Sequence, residues 1–424
     1  MISFSRKSCS CRNERAFLQR HVPQDKLDEV LKRRAAEYRK HQIRTKASLD
    51  VLLIAPSNSP LQYPVHGFTV EPLKKTPIPG LAVHSTERTV YKVSLSVSSG
   101  VLSVEGTTDM DLVAGQGQNK LNISTKDVTQ LNQLLSQVSY TSTIYHIKTK
   151  DFANFTFEDH AVMFPIIIKR SSMPVLADPG TDIGSQVTIT TKTFLRYKEL
   201  NVLINSIRRY YKDMKIIIAD DSLNPQKVNG TNIEQYIMPP AQGWFAGRNL
   251  AVSQVMTKYF LWVDDDFLFI DDTKIEKFVE VMEAVPELDV VAGGVGRDRV
   301  YFKVKYEEGD VEEGGCLTRF IGQSHQTLPG QPHCSLVDGV VNFFLARTDS
   351  VRRVGFDPFL KRVGHSEFFF DGLGDLLVAT CGGVKIGHQR KVNQGKYLKY
   401  RRQKEADATL KLAHQFFKNH LKCF

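Results

Sequence analysis

Between residues 187 and 292 short apolar runs alternate with stretches of helical spacing, and no other feature of the sequence restricts the fold as strongly. Residues 187–190, 215–219, 233–238, 259–263 and 288–292 read as strands. Residues 198–211 place Leu200, Leu203, Ile204, Ile207 and Tyr211 on one helical face, 246–257 read as a second helix, and 272–285 turn Ile275, Phe278, Val279 and Met282 inward. Strands joined by helices pair mostly in parallel, because each crossover helix returns the chain to the same edge and covers the sheet face. Such open α/β sheets bind ligands at the carboxyl ends of their strands. Two strand ends here are acidic: Asp220-Asp221 and Asp264-Asp265-Asp266.

Three adjacent carboxylates repel one another and stay together in a folded chain mainly when a cation or solvent compensates them. Asp264 and Asp266, two residues apart, can share one divalent ion, and hard oxygen ligands suit Mn²⁺ or Mg²⁺ with positions left open for phosphate oxygens. Asp220 and Asp221 suit hydrogen bonding to a base or ribose. The stretch Gly243-Trp-Phe-Ala-Gly-Arg-Asn opens a helix, whose free N–H groups, with Arg248 beside them, favour a phosphate or an acidic neighbour.

The remaining sequence divides by composition. Residues 1–50 are polar, with a charged helical stretch, and read as a stem or arm. Residues 51–172 alternate apolar and polar positions between Gly, Asn, Asp and Ser, the pattern of an antiparallel β-sandwich-like domain. Residues 173–186 carry the Pro, Gly and Asp of a linker, and 187–424 form the α/β domain. The net charge of +10 is scattered and matches no nucleic-acid-binding module; a basic surface favours anionic acceptors. No run of about 18 apolar residues encodes a membrane span, and the first residues lack the apolar core of a signal peptide. Sequons at Asn122, Asn154 and Asn229 and six cysteines without a CxxC pair are compatible with an oxidising compartment.

The order strand, Asp-Asp, Ala-Gly-Arg-Asn helix start, strand, Asp-Asp-Asp resembles the GT-A nucleotide-sugar glycosyltransferases. The fuller stretches at 188–196, 243–254, 261–267, 339–346 and 365–374 resemble the β-1,4-N-acetylgalactosaminyltransferases, a family that includes GM2/GD2 ganglioside synthases and Sd(a) antigen synthases. The pieces at 63–67, 77–81, 140–143, 386–389 and 417–421 are nearer to the Sd(a) type, so the likeness covers almost the whole chain.

The resemblance implies an inverting transfer of GalNAc from UDP-GalNAc, in β1,4 linkage, onto an α2,3-sialylated galactose of a glycoprotein or glycolipid. The alternatives are a GM2/GD2-type ganglioside synthase and a catalytically silent glycan-binding protein. Asp264 and Asp266 match the family's DxD, which would hold Mn²⁺ or Mg²⁺ against the diphosphate, with His388 completing the metal or phosphate site. Asp265 would touch the ribose or stay structural, Arg248 and Asn249 would border the nucleotide, and Asp220 and Asp221 would face uridine. Glu367 falls where the superfamily places the base that inverting transfer requires, with Asp371 one turn on as the runner-up. Family members are Golgi-lumenal type II membrane proteins, whose anchor is not visible here. In that lumen Cys334 and Cys381 would bridge internally, whereas Cys9 and Cys11, with Cys316 and Cys423, would link two subunits as a homodimer.

Overall fold

The computed structural model describes residues 9–11, 16–45, 55–57, 59–85, 88–106, 111–174, 180, 182–361, 363–389, 400 and 404–424. Most of the basic run 391–404, and residues 175–179 and 181 of the expected linker, lie outside them. The chain forms two compact units, one of residues 43–175 and one of residues 1–42 with 176–424.

Among the described residues the 43–175 unit has three sheets, the smallest a two-stranded pair of Leu61–Gln62 with Ala82–Val83, and the strands of the two larger ones alternate buried and open positions as their sequence requires. Six strands run in the order Phe68–Val70, His160–Lys169, Lys148–Phe157, Tyr91–Ser96, Lys120–Thr125 and Val113–Ala114; three more run Thr76–Pro77, Val138–Ser142 and Gly100–Val104. All these pairings are antiparallel except that of the first strand with its neighbour. Leu95, Phe155 and Phe164 of the larger sheet and Leu102 and Tyr140 of the smaller share one core; each buried Phe contributes about 2–3 kcal/mol of transfer free energy. Asp151, 2% exposed, ties the sheets by accepting from Tyr140 Oη at 2.9 Å and from the amides of Ser98 and Ser99. A helix over Val128–Ser136 is an element the strand reading passed over. Asp127 caps it, accepting from the amides of Thr129 and Gln130, and Leu131, Leu134 and Leu135 fill its buried face.

The larger unit is organised by a ten-stranded mixed sheet, whose strands are numbered here in chain order: β1 (Val187–Thr193), β2 (Ile216–Asp220), β3 (Ile233–Ile237), β4 (Tyr259–Trp262), β5 (Phe267–Leu268), β6 (Val290–Val295), β7 (Thr327–Leu328), β8 (Gln331–Val337), β9 (Phe344–Arg347) and β10 (Val378–His388). Their order is β3-β2-β1-β4-β9-β6-β10-β8-β7, with β5 pairing β10. The first four are mutually parallel; β9 runs antiparallel between β4 and β6.

Period-two alternation sorts each central strand between two cores. Ile216, Ile218, Tyr259 and Leu261 face the helices Tyr197–Tyr210 and Ile275–Ala284, whereas Ile217, Ala219, Phe260 and Trp262 face the helix Trp244–Ser253. Both faces are therefore apolar, which is why these strands read as continuous runs.

Residues 16–42 pack with the α/β unit instead of standing away as an arm. Arg34, in the helix Leu27–Thr45, is 5% exposed and donates to the carbonyls of Phe416 and Leu421, each at 2.9 Å; burial lowers its guanidinium to about 10. Cys334 bridges Cys381 across paired strands, as expected. Cys9 bridges Cys316 and Cys11 bridges Cys423. These pairs lie within one chain, which corrects the expected inter-subunit linkage: the N-terminal segment folds back on its own sheet and brings all four sulfurs together. Among the described residues no helix is long and apolar enough to cross a membrane.

Candidate active site

The register of the parallel strands brings the acidic ends together. Thr193 of β1 stands beside Asp220 of β2, and Thr190 beside Trp262 of β4, so the segments leaving β1, β2 and β4 meet at one sheet edge. A cavity of about 590 Å³ opens there, lined among others by Lys192, Arg196, Asp221, Asp264, Asp266 and His388 and by Trp244, Asn342 and His365.

Asp264 is 5% exposed and accepts from Trp262 Nε1 at 3.2 Å. Burial raises its carboxyl well above the usual range; Arg248 opposes that shift, and Asp266 and Asp265 reinforce it. Asp265 accepts from Thr193 Oγ1 at 3.0 Å and pairs with Arg196 Nη2 at 2.6 Å; burial pushes it up to about 7. The same guanidinium nitrogen is 2.7 Å from Asp266 Oδ2, and His388 Nε2 is 3.4 Å from that oxygen. The backbone N–H of Gln389 donates to the Asp266 carbonyl and thereby fixes the end of β10 against the triplet.

Asp221 and Asp220 part company. Asp221 lines the cavity, paired with Lys192 Nζ at 2.5 Å and accepting from the Gly243 amide at 2.7 Å. Gly243 has φ +96°, and a Cβ there would lie 2.8 Å from Lys361 Cα, so only glycine admits this approach. Asp220 is fully buried and accepts from Tyr197 Oη at 2.6 Å and Gln235 Nε2 at 2.8 Å, away from the cavity lining.

Arg248 also points inward. It is 2% exposed, lies among Trp262, Trp244, Phe356 and Phe245, and donates to Asn342 Oδ1 at 2.9 Å. Burial lowers it to about 10, and Asp264 supports its charge. Asn249 is occupied by the backbone of Phe356, accepting from its N–H and donating to its carbonyl. Neither Arg248 nor Asn249 is in the cavity lining.

Glu367 opens the short helix Glu367–Asp371 and is 3% exposed; Oε1 is 3.4 Å from Lys411 Nζ, and Oε2 is buried without a hydrogen-bond partner. Asp371 accepts from Lys418 Nζ at 2.7 Å and lies 3.0 Å from the buried His414 Nε2, so its carboxylate is already engaged. His365, two residues before Glu367, lines the cavity, meets Trp244 edge-on at 5.0 Å, and keeps a buried Nδ1 without a partner. Burial, with Arg248 and Lys411 nearby, lowers it to about 3 and holds the imidazole neutral.

Residues 188–338 match the family described as Glycosyl transferase family 2. Beta-1,4 N-acetylgalactosaminyltransferase 2 of Mus musculus is 45% identical over 435 residues, 99% of this chain and 84% of that protein. This chain belongs to the β-1,4-N-acetylgalactosaminyltransferases. The transferase is also 44% identical to beta-1,4 N-acetylgalactosaminyltransferase 1 of Homo sapiens, over 92% of this chain and 77% of that one. Among solved structures, S. aureus TarS 1-349 in complex with UDP-GlcNAc is similar at a TM-score of 0.35 and 10% identity, over 55% of this chain and 73% of that one.

The transferase has the GT-A fold of a mixed α/β glycosyltransferase domain. Asp264, Asp266 and His388 all line the cavity; His388 Nε2 lies 3.4 Å from Asp266 Oδ2, and Arg196 offsets the repulsion within the triplet. Lys192, Arg196, Asn342, Trp244, His365 and Lys411 carried no assigned role in the sequence reading. For Lys192 and Arg196 the available signal was one cation at the end of a strand that adjoins both acidic ends and another just beyond it.

Proposed function

We propose that the transferase moves GalNAc from UDP-GalNAc, with inversion, onto O4 of an α2,3-sialylated galactose in the Golgi lumen. The observation that carries the site reading is the cavity itself, which is lined by Asp264 and Asp266, by Lys192 and Arg196, and by His365; Glu367, two residues on, opens the next helix and is not itself among the lining residues. Asp264, Asp266 and His388 would hold Mn²⁺ or Mg²⁺ when it is bound, and the ion would neutralise charge on the departing diphosphate. Asp221 is the acidic residue available to the nucleoside, and Lys192 and Arg196 supply positive charge for phosphate oxygens. Asp220, Asp265, Arg248 and Asn249 act from behind, each held by the partners described above.

Glu367 is the base of this reading. Its Oε2 has no partner to satisfy, whereas Asp371 is held by His414 and Lys418. As the acceptor O4 attacks C1, its proton passes to Glu367, and the C1–O bond to UDP breaks with its electron pair leaving on the β-phosphate oxygen. The test is transfer from UDP-GalNAc to 3′-sialyl-lactosamine with and without Mn²⁺, beside GM3 and the asialo disaccharide. Metal-dependent product on the sialylated disaccharide supports the proposal. Product chiefly on GM3 favours a ganglioside synthase, a reading encouraged by the almost equal identity to the second relative. Folded protein that transfers to no acceptor overturns it.

A further inference from the structure

Lys411 lies on the helix Lys404–Ala413, whose Ala406, Asp407 and Leu410 line the cavity. Its ammonium is 3.4 Å from Glu367 Oε1 and close enough to His365, another lining residue, to act on its charge. The pair is unequal: the Lys411 side chain is 38% exposed, whereas that of Glu367 is 3% exposed. An exposed ammonium exchanges partners at little cost, while the buried Glu367 carboxylate has no second cation within 4.0 Å among the described residues.

We infer that Lys411 selects an anionic acceptor by exchanging its partner: the acceptor's carboxylate takes the ammonium and leaves Glu367 free to receive the O4 proton. This rests on the reading of Glu367 as base and of the acceptor as sialylated. It makes the acceptor's charge a condition for turnover as well as for binding. No covalent step is added; one N–H⁺···⁻O–C pair replaces another.

The test uses the purified full chain and variants Lys411→Met, which keeps length and removes charge, and Lys411→Arg, which keeps charge. Each is assayed with UDP-GalNAc and 3′-sialyl-lactosamine or the asialo disaccharide, with donor KM and melting temperature recorded in parallel. For Lys411→Met we expect kcat/KM on the sialylated acceptor to fall at least about tenfold, mainly in acceptor KM, the loss of one charge-assisted pair. Activity on the asialo acceptor should hold or rise, so that the preference collapses, with donor KM unchanged. Lys411→Arg should retain most of the preference. An unchanged preference in a folded Lys411→Met that remains active overturns this assignment alone. A wild-type chain without preference for the sialylated acceptor overturns the assignment together with the acceptor reading, and loss of both activities with a lowered melting temperature in both variants assigns Lys411 a purely structural part.

Discussion

The guanidinium of Arg248 lies 4.4 Å from the centre of the Trp262 ring, whose own N–H holds Asp264. A residue that sequence placed beside the nucleotide therefore supports the acidic lining of the cavity from inside the core. Arg248→Met should leave Asp264 buried beside two like charges without its nearest cation, at a cost of about 3–5 kcal/mol of folding free energy. Arg248→Lys keeps the charge but loses the planar stacking, and an intermediate loss is expected. Denaturant titration of the three proteins checks this; equal stability of wild type and Arg248→Met would contradict it.

The three aspartates should separate by function. Asp264→Asn and Asp266→Asn are expected to weaken Mn²⁺ binding and lower transfer by about 10²-fold or more, in keeping with the several kcal/mol a metal ion supplies. Asp265→Asn, whose carboxylate is held by Thr193 and Arg196, should chiefly alter stability. Calorimetric titration with Mn²⁺, run beside activity, distinguishes them, and an equal loss of metal affinity in all three would show the division to be wrong.

Glu367 and Asp371 are distinguished in the same way. Glu367→Gln should lower kcat by roughly 10²–10⁴-fold with little change in donor KM, the range for loss of a positioned base. Asp371→Asn removes the anion between His414 and Lys418 and should lower the melting temperature, with the smaller effect on kcat. The reverse pattern in steady-state kinetics would exchange their roles.

His365 predicts a pH dependence of stability. Its folded-state pKa, about 3, lies below the ordinary value of 6.5, so the folded chain binds fewer protons than the unfolded one between those values. The associated stability is complete above about pH 6.5 and is lost as pH falls toward 3, by at most about 1.4 kcal/mol per pH unit and less to the extent that solvent screens the ring. Unfolding measured at pH 7 and pH 5 should show a smaller decline for His365→Phe than for wild type. Parallel declines would remove His365 from this account.

Legibility in the sequence followed the range of the interactions. Ile216–Asp220 and Tyr259–Trp262 were readable because their neighbours are apolar on both faces, and the Asp264–Asp266 triplet because its chemistry is local. Roles fixed by distant partners were not. Asn249 is committed to Phe356, 107 residues on, and Asp371 to His414, 43 residues on. Glu367 meets a lysine from a helix that follows it, and no periodicity announces such a pair. The cysteines show the same limit, since matching Cys9 and Cys11 to Cys316 and Cys423 leaves open whether the chain closes on itself.

Cys9 and Cys316 are 307 positions apart, and Cys11 and Cys423 are 412 apart. The whole of the 43–175 unit lies inside both rings, as an insertion within the unit that those bridges close. Synthesis therefore reaches the end of the inserted sandwich long before the last cysteine exists. The sandwich can mature while the N-terminal segment still lacks both its sulfur partners and the carbonyls of Phe416 and Leu421 that Arg34 holds. A ribosome stalled a few residues short of Cys423 would carry a finished insert and a catalytic unit still lacking its second bridge, Cys11–Cys423.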